Sequence, residues 1–553
     1  MIKLNVWGGA GEHGRSSYLL SGSTQRLLLD CGVKKGGAGE YPLLDKQIVP
    51  KLDAVLLSHA HEDHSVAIPL LYNLGYQGEV WTTRETREQL DTYFKAWRNN
   101  TERAGYAVPY EESDVQSIRY RYLEQEAARG TWFELIPGVW AIWGRTGHLA
   151  GSVWFAIEME ERRIFYSGDY TSESMLLQED DPLATLRGAN RMYSTQRSKP
   201  MRSRVDQTAL RGNIAVGQEA EFAGDQAINA SLSTSFREAE QAAISSPAHD
   251  PVAMDNKQFL SWQSVSNAKT VEATTSSESR ALSIQPMKPL EELLDLAIMD
   301  AAYGTDRDTQ ADKLQQLDHA IRGTIARGGK VLLPMPVVGR GQEIMLWAEQ
   351  QYPDIPLFVE QGLMKGMKQL LHSPYWLRES EVANKRSLTE TITECLNGSR
   401  WQIPETQEER EQWLEQHGAS LWFIPDGMMQ SALARWYYSQ LAGDQNNMVL
   451  LTGHVSEGTY AGQLSRAPEE HGKCEVRKVR YKVHQGWMDA ARMIRRLPAR
   501  HTILVHTNRE ETDKLRDHLL SDNTLSEARL SEGEEAAPTK IIHSLSPGDE
   551  LVL

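Results

Sequence analysis

Apolar residues in the first seventy positions fall in short runs cut by glycine turns: LNVWG, SSYLL, RLLLDCG and KLDAVLLSHAHEDH. Such runs predict strands, and Ala54-Val55-Leu56-Leu57 has the length of a buried one. It ends in Ser58, and a cluster of His and Asp follows at once, at the position where layered α/β proteins place their chemistry. Helical spacing follows in TRETREQLDTYFKAW, and strands return in VWAIWG, SVWFAIEME and RRIFYSGD. Further on, GGKVLLPMPVVGRGQEIMLWAEQQY predicts strand, glycine turn and helix. SLWFIPDGMMQSALARWYYSQL and NNMVLLTGHVSEGTYAGQL repeat that rhythm, which makes a second α/β domain. The tail from Val476 returns to strand and helix through HTILVHTNREETDKLRDHLL and LSPGDELVL.

Between residues 185 and 285 the texture changes. Only 17 of these 101 residues are Leu, Ile, Val or Phe, below the roughly 20% that a packed core needs, and 11 basic residues nearly cancel 10 acidic ones. The segment reads as a flexible insertion, with a small satellite domain as the alternative. The expected organisation is a first domain over 1–184, the insertion over 185–285, the first domain again over 286–315, the second domain over 316–465, and the last part of the first over 466–553.

Charge and cysteine usage narrow the function. The 553 residues carry 59 Lys and Arg against 75 Asp and Glu, a net charge of −16, so any contact with nucleic acid must come from a local site and not from bulk charge. Three distant cysteines, Cys31, Cys395 and Cys474, make neither a disulfide framework nor a Cys-rich zinc cluster and suit a reducing compartment. The chain starts directly in a strand pattern, and no run approaches the ~18 apolar residues of a spanning helix. A soluble, cytoplasmic protein with no membrane partner is expected.

The candidate chemistry lies in HAHEDH. On an extended segment His59 and His61 point the same way and can share one ion, while Asp63 and His64 lie one turn onward and can reach a second. Imidazole with carboxylate suits borderline divalent ions such as Zn²⁺. Three His and an Asp within six residues, in a chain with 16 His, are hard to explain as a surface turn.

HAHEDH resembles the HxHxDH signature of the metallo-β-lactamase fold. The other signatures of that fold follow in order: Asp30 in RLLLDCG, His148 in TGHLAGSVWF and Asp169 in YSGDYTSES. The resemblance implies that His59, His61 and His148 hold one metal, Asp63 and His64 hold the other, and Asp169 bridges them, with Asp30 orienting a ligand without binding metal. The second domain narrows the family. MDAAYGTDR, with Asp300, Tyr303 and Gly304, resembles the acidic ESTYG-type motif of β-CASP nucleases, and VLLPMPVVGRGQE, with Arg340, Gln342 and Glu343, resembles their PxFxxGRxQE segment. KVHQGWMDA puts His484 at the family's second motif and ILVHTNRE puts His506 at the third. The implied fold is α/β, a metallo-β-lactamase αββα sandwich with an inserted β-CASP α/β domain.

By the same resemblance His506 completes the second metal's shell, and His484, paired with Asp300, is the general acid, so that His484, Asp300 and Asp63 form the catalytic set. Substrate contacts would come from Arg340, Gly427, Met428, Gly458 and Thr459. His454 in TGHVSEGT is a rival for the second motif, ranked lower because the family usually has GYQ there. The chain departs from the pattern at Asp300 (a commoner Glu), at Ala301-Ala302 (Ser-Thr) and at Asp426-Gly427-Met428 (Ser-Gly-Met). The last puts a carboxylate where a phosphate contact is expected. Gly8-Gly9-Ala10-Gly11 lacks the Lys-Ser/Thr of a nucleotide-binding loop and is assigned to the site's rim. Arg492, Arg495, Arg496 and Arg500 read as a solvated helix face rather than a nucleic-acid track.

Two metals about 3.5–4 Å apart suit phosphodiester hydrolysis. A ribose 3′ oxygen is a poor leaving group near neutral pH, which calls for a protonated imidazole. Two Zn²⁺ also leave the site cationic after Asp63 and Asp169 are counted. The expected activity is a zinc-dependent ribonuclease, endonucleolytic, acting on single-stranded RNA with two Zn²⁺ per chain and Mn²⁺ as a substitute; a homodimer is left open. The rival enzyme is a metallo-β-lactamase-fold hydrolase of small esters or thioesters, which needs neither the inserted domain nor His484. The rival non-enzyme is an inactive RNA-binding scaffold, against which the intact ligand set argues.

Overall fold

The computed structural model describes residues 1–35, 38–191, 294–379, 387–398, 400–456, 458–497, 499–521 and 541–553. Most of the segment expected as a flexible insertion, 192–285, lies outside the described residues.

Two sheets face each other. The first has seven strands in the spatial order Glu550–Val552, Lys3–Gly8, Ser17–Ser21, Arg26–Leu29, Ala54–Leu56, Glu79–Thr82 and Arg119–Tyr122, antiparallel up to Arg26–Leu29 and parallel beyond it. The second has eight: Asn190–Arg191, Thr131–Ile136, Val139–Arg145, Val153–Met159, Arg162–Tyr166, Leu294–Asp300, Ala499–Val505 and Ile541–His543. Successive side chains on a strand point to opposite faces, which divides each run between two cores. Leu27, Leu29 and Leu56 of the first sheet pack with Phe155, Ile164, Ile298 and Val505 of the second. The alternate Leu28 and Val55 join Leu90, Phe94 and Trp97 of helix Arg84–Arg103 on the outer face. On the other outer face Phe165, Ala297 and Met299 lie with Ile494 of helix Trp487–Arg496 and Leu515 of helix Arg509–Ser521. Helix, sheet, sheet and helix make the expected αββα sandwich.

A third sheet of six parallel strands runs Trp401–Gln402, Leu357–Val359, Ser420–Pro425, Lys330–Met335, Met448–Leu451 and Glu475–Lys478. Parallel neighbours need crossover connections. Helices Gln310–Ala326, Arg340–Gln351 and Gln361–His372 bury their apolar sides with Leu333 and Leu421 of this sheet, and helices Ala432–Leu441 and Tyr460–Arg466 pack with Leu332 and Trp422 on its other face. Among the described residues no helix is long and apolar enough to cross a membrane.

Three expected boundaries move. The second sheet continues past 184 through helix Pro182–Gly188 to Asn190–Arg191, which pairs with Thr131 and Trp132. Helix Gln310–Ala326, started by the Thr309/Asp312 capping box, runs unbroken through 315. Glu475–Lys478, expected in the tail of the first domain, instead extends the third sheet beside Met448–Leu451. A strand's sequence marks it as a strand but does not say which sheet it joins, since pairing is a tertiary choice.

The HAHEDH turn is clamped from below by backbone. Ser16 N donates to Asp63 O at 2.8 Å, Cys31 N to His64 O at 2.8 Å and Val33 N to Glu62 O at 3.0 Å. Gly32 lies so close that a Cβ there would sit 1.9 Å from the Asp63 carbonyl, and backbone cannot give way as a side-chain tip can. Gly32→Ala is therefore expected to destabilise the protein by about 3 kcal/mol or more. Gly323→Ala, on the exposed side of helix Gln310–Ala326 with nothing within 4 Å, should stabilise by roughly 0.5–1 kcal/mol. Urea midpoints of the two variants moving in the same direction would contradict this packing.

Candidate metal centre and active site

Strand Ala54–Leu56 of the first sheet and strands Arg162–Tyr166, Leu294–Asp300 and Ala499–Val505 of the second all end at one edge of the sandwich. The residues just past those ends meet there. His61 Nδ1 lies 3.1 Å from His59 Nε2 and 3.0 Å from His148 Nε2. Asp169 Oδ2 lies 3.4 Å from His59 Nε2 and 3.5 Å from His148 Nε2. Ligands about 2.0–2.1 Å from a tetrahedral Zn²⁺ are about 3.3–3.4 Å from one another, so these four atoms have the spacing of such a shell. The other Asp169 oxygen, Oδ1, lies 3.2 Å from His64 Nε2, and Asp63 Oδ2 lies 3.9 Å from His64 Nε2 and 2.8 Å from His506 Nε2. His506 Nδ1 is buried and unpartnered, 3.8 Å from both Asp169 Oδ1 and Asp300 Oδ1. Both donor groups have the composition to hold a cation, and Asp169, a member of the first through Oδ2, sets Oδ1 beside His64 of the second.

A second tier orients these rings. Asp30, fully buried with φ 58° at the end of strand Arg26–Leu29, accepts from Ser58 N at 2.7 Å, from Ser58 Oγ at 2.7 Å and from the Tyr166 hydroxyl. Its Oδ2 also meets His64 Nδ1 at 2.7 Å, which leaves His64 Nε2 for the centre. Ser58 Oγ passes the same constraint to His59 Nδ1 at 3.0 Å, and His148 Nδ1 donates to Val483 O at 2.8 Å. Sequence reasoning placed Asp30 in this role but missed Ser58, Tyr166 and Val483. Ser58 adjoins HAHEDH and could have been suspected; a backbone carbonyl such as that of Val483 leaves no sequence signal.

Burial and crowding set the protonation of the metal-free site. Burial holds His59, His61 and His148 below the ordinary imidazole value, and neighbouring imidazoles (His64, His59 and His484 respectively) add to it. Burial would raise Asp63 and Asp169, but the imidazoles of His64 and His506 hold both well below the usual carboxylate range. His64 and His506 move the other way: against burial, the carboxylates of Asp169 and Asp63 raise them, His506 to about 9. Three neutral imidazoles facing ionised carboxylates are the donor state that a divalent cation requires.

Beside the two groups, Asp300 ends strand Leu294–Asp300 fully buried. Its oxygens accept from Ala302 N at 2.9 Å and Tyr170 N at 3.1 Å, and Oδ2 meets His484 Nδ1 at 3.0 Å. His484 Nδ1 is thereby engaged, and the ring packs at 4.6 Å from His148, 5.0 Å from His506 and 5.3 Å from Tyr303. His484 Nδ1 also lies 3.8 Å from Asp169 Oδ2, within a third group of donors formed with Asp300 and His506. His454, the rival for this position, instead lies against His13, with ring centroids 5.0 Å apart.

The expected substrate residues divide. Arg340 starts helix Arg340–Gln351 and has no carboxylate partner among the described residues. Its Nε reaches Thr452 Oγ1 at 3.4 Å, and a Cβ at Gly453 would lie 2.1 Å from its Nη2, so glycine makes room for it. Tyr93 and Tyr303 stand edge-on to the rings of His61 and His484. Gly427 lies against the same guanidinium. The Asp426 carboxylate does not face a substrate position: it turns onto its own loop, accepting from Met428 N at 3.1 Å and Ser431 N at 2.6 Å. Met428 O accepts from Ala461 N, and Thr459 caps helix Tyr460–Arg466 by accepting from Gly462 N. Gly458 and Thr459 make no hydrogen bond to the His and Asp groups among the described residues. Gly9 O accepts from His506 N at 2.8 Å, which puts the glycine run at the rim. Arg496 pairs with Asp181 at 2.5 Å, and Arg492, Arg495 and Arg500 are exposed.

Residues 25–184 match the beta-lactamase superfamily domain and residues 344–464 match the Beta-Casp domain. The chain is 23% identical over 474 residues to transcription termination factor FttA of Cenarchaeum symbiosum, covering 83% of this chain and 56% of that one. It is 20% identical over 547 residues to endoribonuclease YSH1 of Eremothecium gossypii, covering 93% and 56%. With cleavage and polyadenylation specificity factor 73 of Drosophila melanogaster it shares 21% identity over 539 residues, covering 93% and 61%. The chain thus spans little more than half the length of these relatives. With the sandwich spanning the first match and the six-stranded parallel sheet spanning the second, the chain carries a beta-lactamase superfamily domain and a Beta-Casp domain.

Proposed function

We propose that the chain is a metal-dependent ribonuclease that hydrolyses phosphodiester bonds endonucleolytically in single-stranded RNA. The observation that carries this reading is Asp169 placed between two donor groups, with the His484–Asp300 pair beside them. The names of the relatives, an endoribonuclease and a cleavage and polyadenylation factor, support RNA as substrate.

His59, His61 and His148 would hold one ion, Asp63, His64 and His506 the other, and Asp169 would bridge. Zn²⁺ is the ion that the first group's spacing suits, with Mn²⁺ as a substitute. Such a pair of ions supplies an acidified water and neutralises charge on the phosphoryl oxygens. The protein's own groups do the rest. Arg340, a cation with no carboxylate to neutralise it among the described residues, holds a substrate phosphate alongside Gly427. Asp63, whose side chain is 31% exposed where most of its neighbours are buried, is the carboxylate that water can reach. Asp300 fixes His484 through Nδ1, so Nε2 delivers a proton to the departing ribose oxygen.

Elemental analysis of protein purified without chelator should find close to two transition-metal ions per chain, mainly zinc, and Asp169→Ala should lose both because each shell loses an oxygen. Folded, RNA-cleaving protein without metal would refute the centre.

His484→Ala should keep its metal and lose roughly 10²- to 10⁴-fold in cleavage of end-labelled single-stranded RNA, with a smaller loss on a nitrophenyl phosphodiester, whose leaving group needs no proton. Equal losses on both substrates, or loss of an ion, would mean that His484 is a ligand. DNA of the same sequence should be cut more slowly than RNA.

Titration gives a separate check. In metal-free protein His506 is raised from 6.5 to about 9 by Asp169 and Asp63 against burial. Its pairing therefore contributes stability that is complete below pH about 6.5 and lost as pH rises through about 9. A metal ion needs the ring neutral, so the stabilisation conferred by stoichiometric zinc should grow across the same window. Thermal melts at pH 6.5 and 9.5, with and without zinc, measure both trends; a zinc effect that shrinks with pH would count against His506 as a ligand.

A further inference from the structure

Two histidines that the proposed reaction does not use meet across the cleft. His13 comes from the glycine-rich turn after strand Lys3–Gly8, and His454 follows strand Met448–Leu451 of the third sheet. Their ring centroids are 5.0 Å apart, and the His13 ring stands edge-on to His506 at 6.0 Å. His454 is exposed and His13 half-buried, and neither ring makes a hydrogen bond or an ion pair among the described residues. Neither belongs to a group of donors that could hold an ion. Rings with uncommitted nitrogens at the mouth of an active site are free to donate to a substrate.

The surroundings say what kind of substrate group. Lys478, at the end of strand Glu475–Lys478, pairs with Leu451 three residues before His454, and Arg480 follows two residues on. Lys478 is exposed and has no ion pair among the described residues. Arg480 lies over the Tyr303 ring at 4.4 Å and reaches Asp306 at 3.6 Å. The nearby carboxylates are already engaged: Glu12 with Arg15 and Lys34, and Asp63 with His506. In a chain of net charge −16, a wall that gathers two imidazoles and an uncompensated lysine is matched to an anion.

We propose that His13, His454 and Lys478 form a subsite for one backbone phosphate of the RNA, next to the scissile one on the His506 side of the centre. This rests on the ribonuclease reading above. The two imidazoles donate N–H groups, the lysine supplies a flexible charge, and a small diester that occupies only the centre does not reach them.

The test uses His13→Ala, His454→Ala and Lys478→Ala. RNA binding is measured by anisotropy across a salt series in the metal-loaded His484→Ala background, where the RNA stays largely intact. Turnover of RNA and of bis(nitrophenyl) phosphate is measured with His484 present. Each variant should bind RNA roughly 3- to 10-fold more weakly, with a salt slope shallower by up to about 0.7 for the lost phosphate contact. KM for RNA should rise while kcat, small-diester turnover and metal content stay near wild type. A single methylphosphonate at the neighbouring linkage should weaken wild-type binding by a similar factor and add little to the double variant His13→Ala/His454→Ala. Unchanged RNA binding, a proportional loss of metal or of small-diester turnover, or fully additive effects of methylphosphonate and double variant would each overturn the subsite. If wild-type protein hydrolyses the small diester but neither binds nor cleaves RNA, the ribonuclease reading falls and the subsite with it. If wild type cleaves RNA and the variants match it, only the subsite falls.

Discussion

Burying several carboxylates at one sheet edge is costly unless each finds a positive partner, and that electrostatic constraint organises the rest of this molecule. Asp169 and Asp300 are almost wholly out of water, and Asp63 is partly so. In the metal-free state His64 and His506 carry the protons that keep Asp63 and Asp169 ionised. Divalent ions would replace those protons with stronger charges, and the imidazoles would become ligands. The centre is thus poised between two occupants of the same positions, protons and metal, and the surrounding scaffold must tolerate both.

That scaffold works by fixing backbone first. The strand ends of two facing sheets converge, so residues as distant in sequence as His59, His148, Asp169 and His506 reach one another with little loop to order. Backbone hydrogen bonds from Ser16, Cys31 and Val33 hold the HAHEDH turn. Asp30 then orients His64 directly and His59 through Ser58. One buried carboxylate outside the donor groups, carried on a left-handed backbone at Asp30, thus engages two rings.

The third sheet closes the site from above. Arg340 and His454 come from the loops and helix starts at the C-terminal ends of its strands, the usual place for ligand contacts in parallel sheets. The segment 481–486, which leads from strand Glu475–Lys478 of the third sheet to helix Trp487–Arg496, meets the sandwich twice: the Val483 carbonyl holds His148, while the next residue, His484, is held by Asp300. A shift of this segment would disturb the His148 and His484 rings at once.

Local sequence determined what local chemistry can determine. HAHEDH was legible because its four donors sit in six residues after an apolar run, and the strand-turn-helix rhythm of the second domain was legible because each unit is contiguous. Resemblance carried His148, Asp169, Asp300, His484 and His506, whose isolated motifs would have meant little. Tertiary structure decided the rest. Both faces of Leu27 to Leu29 and of Ala54 to Leu56 are buried, so no alternation in the sequence tells which side chain faces which core. Glu475–Lys478 reads as a strand, yet only pairing assigns it to the third sheet. By sequence Asp426 is a charge at a phosphate position, and only the folded loop shows its carboxylate accepting from Met428 N and Ser431 N. His13 carries no signal of its own in a glycine-rich turn, because its partner His454 lies 441 residues away. A sequence lists the donors and the periodicity of its elements; which donors meet depends on long-range packing that no single segment encodes.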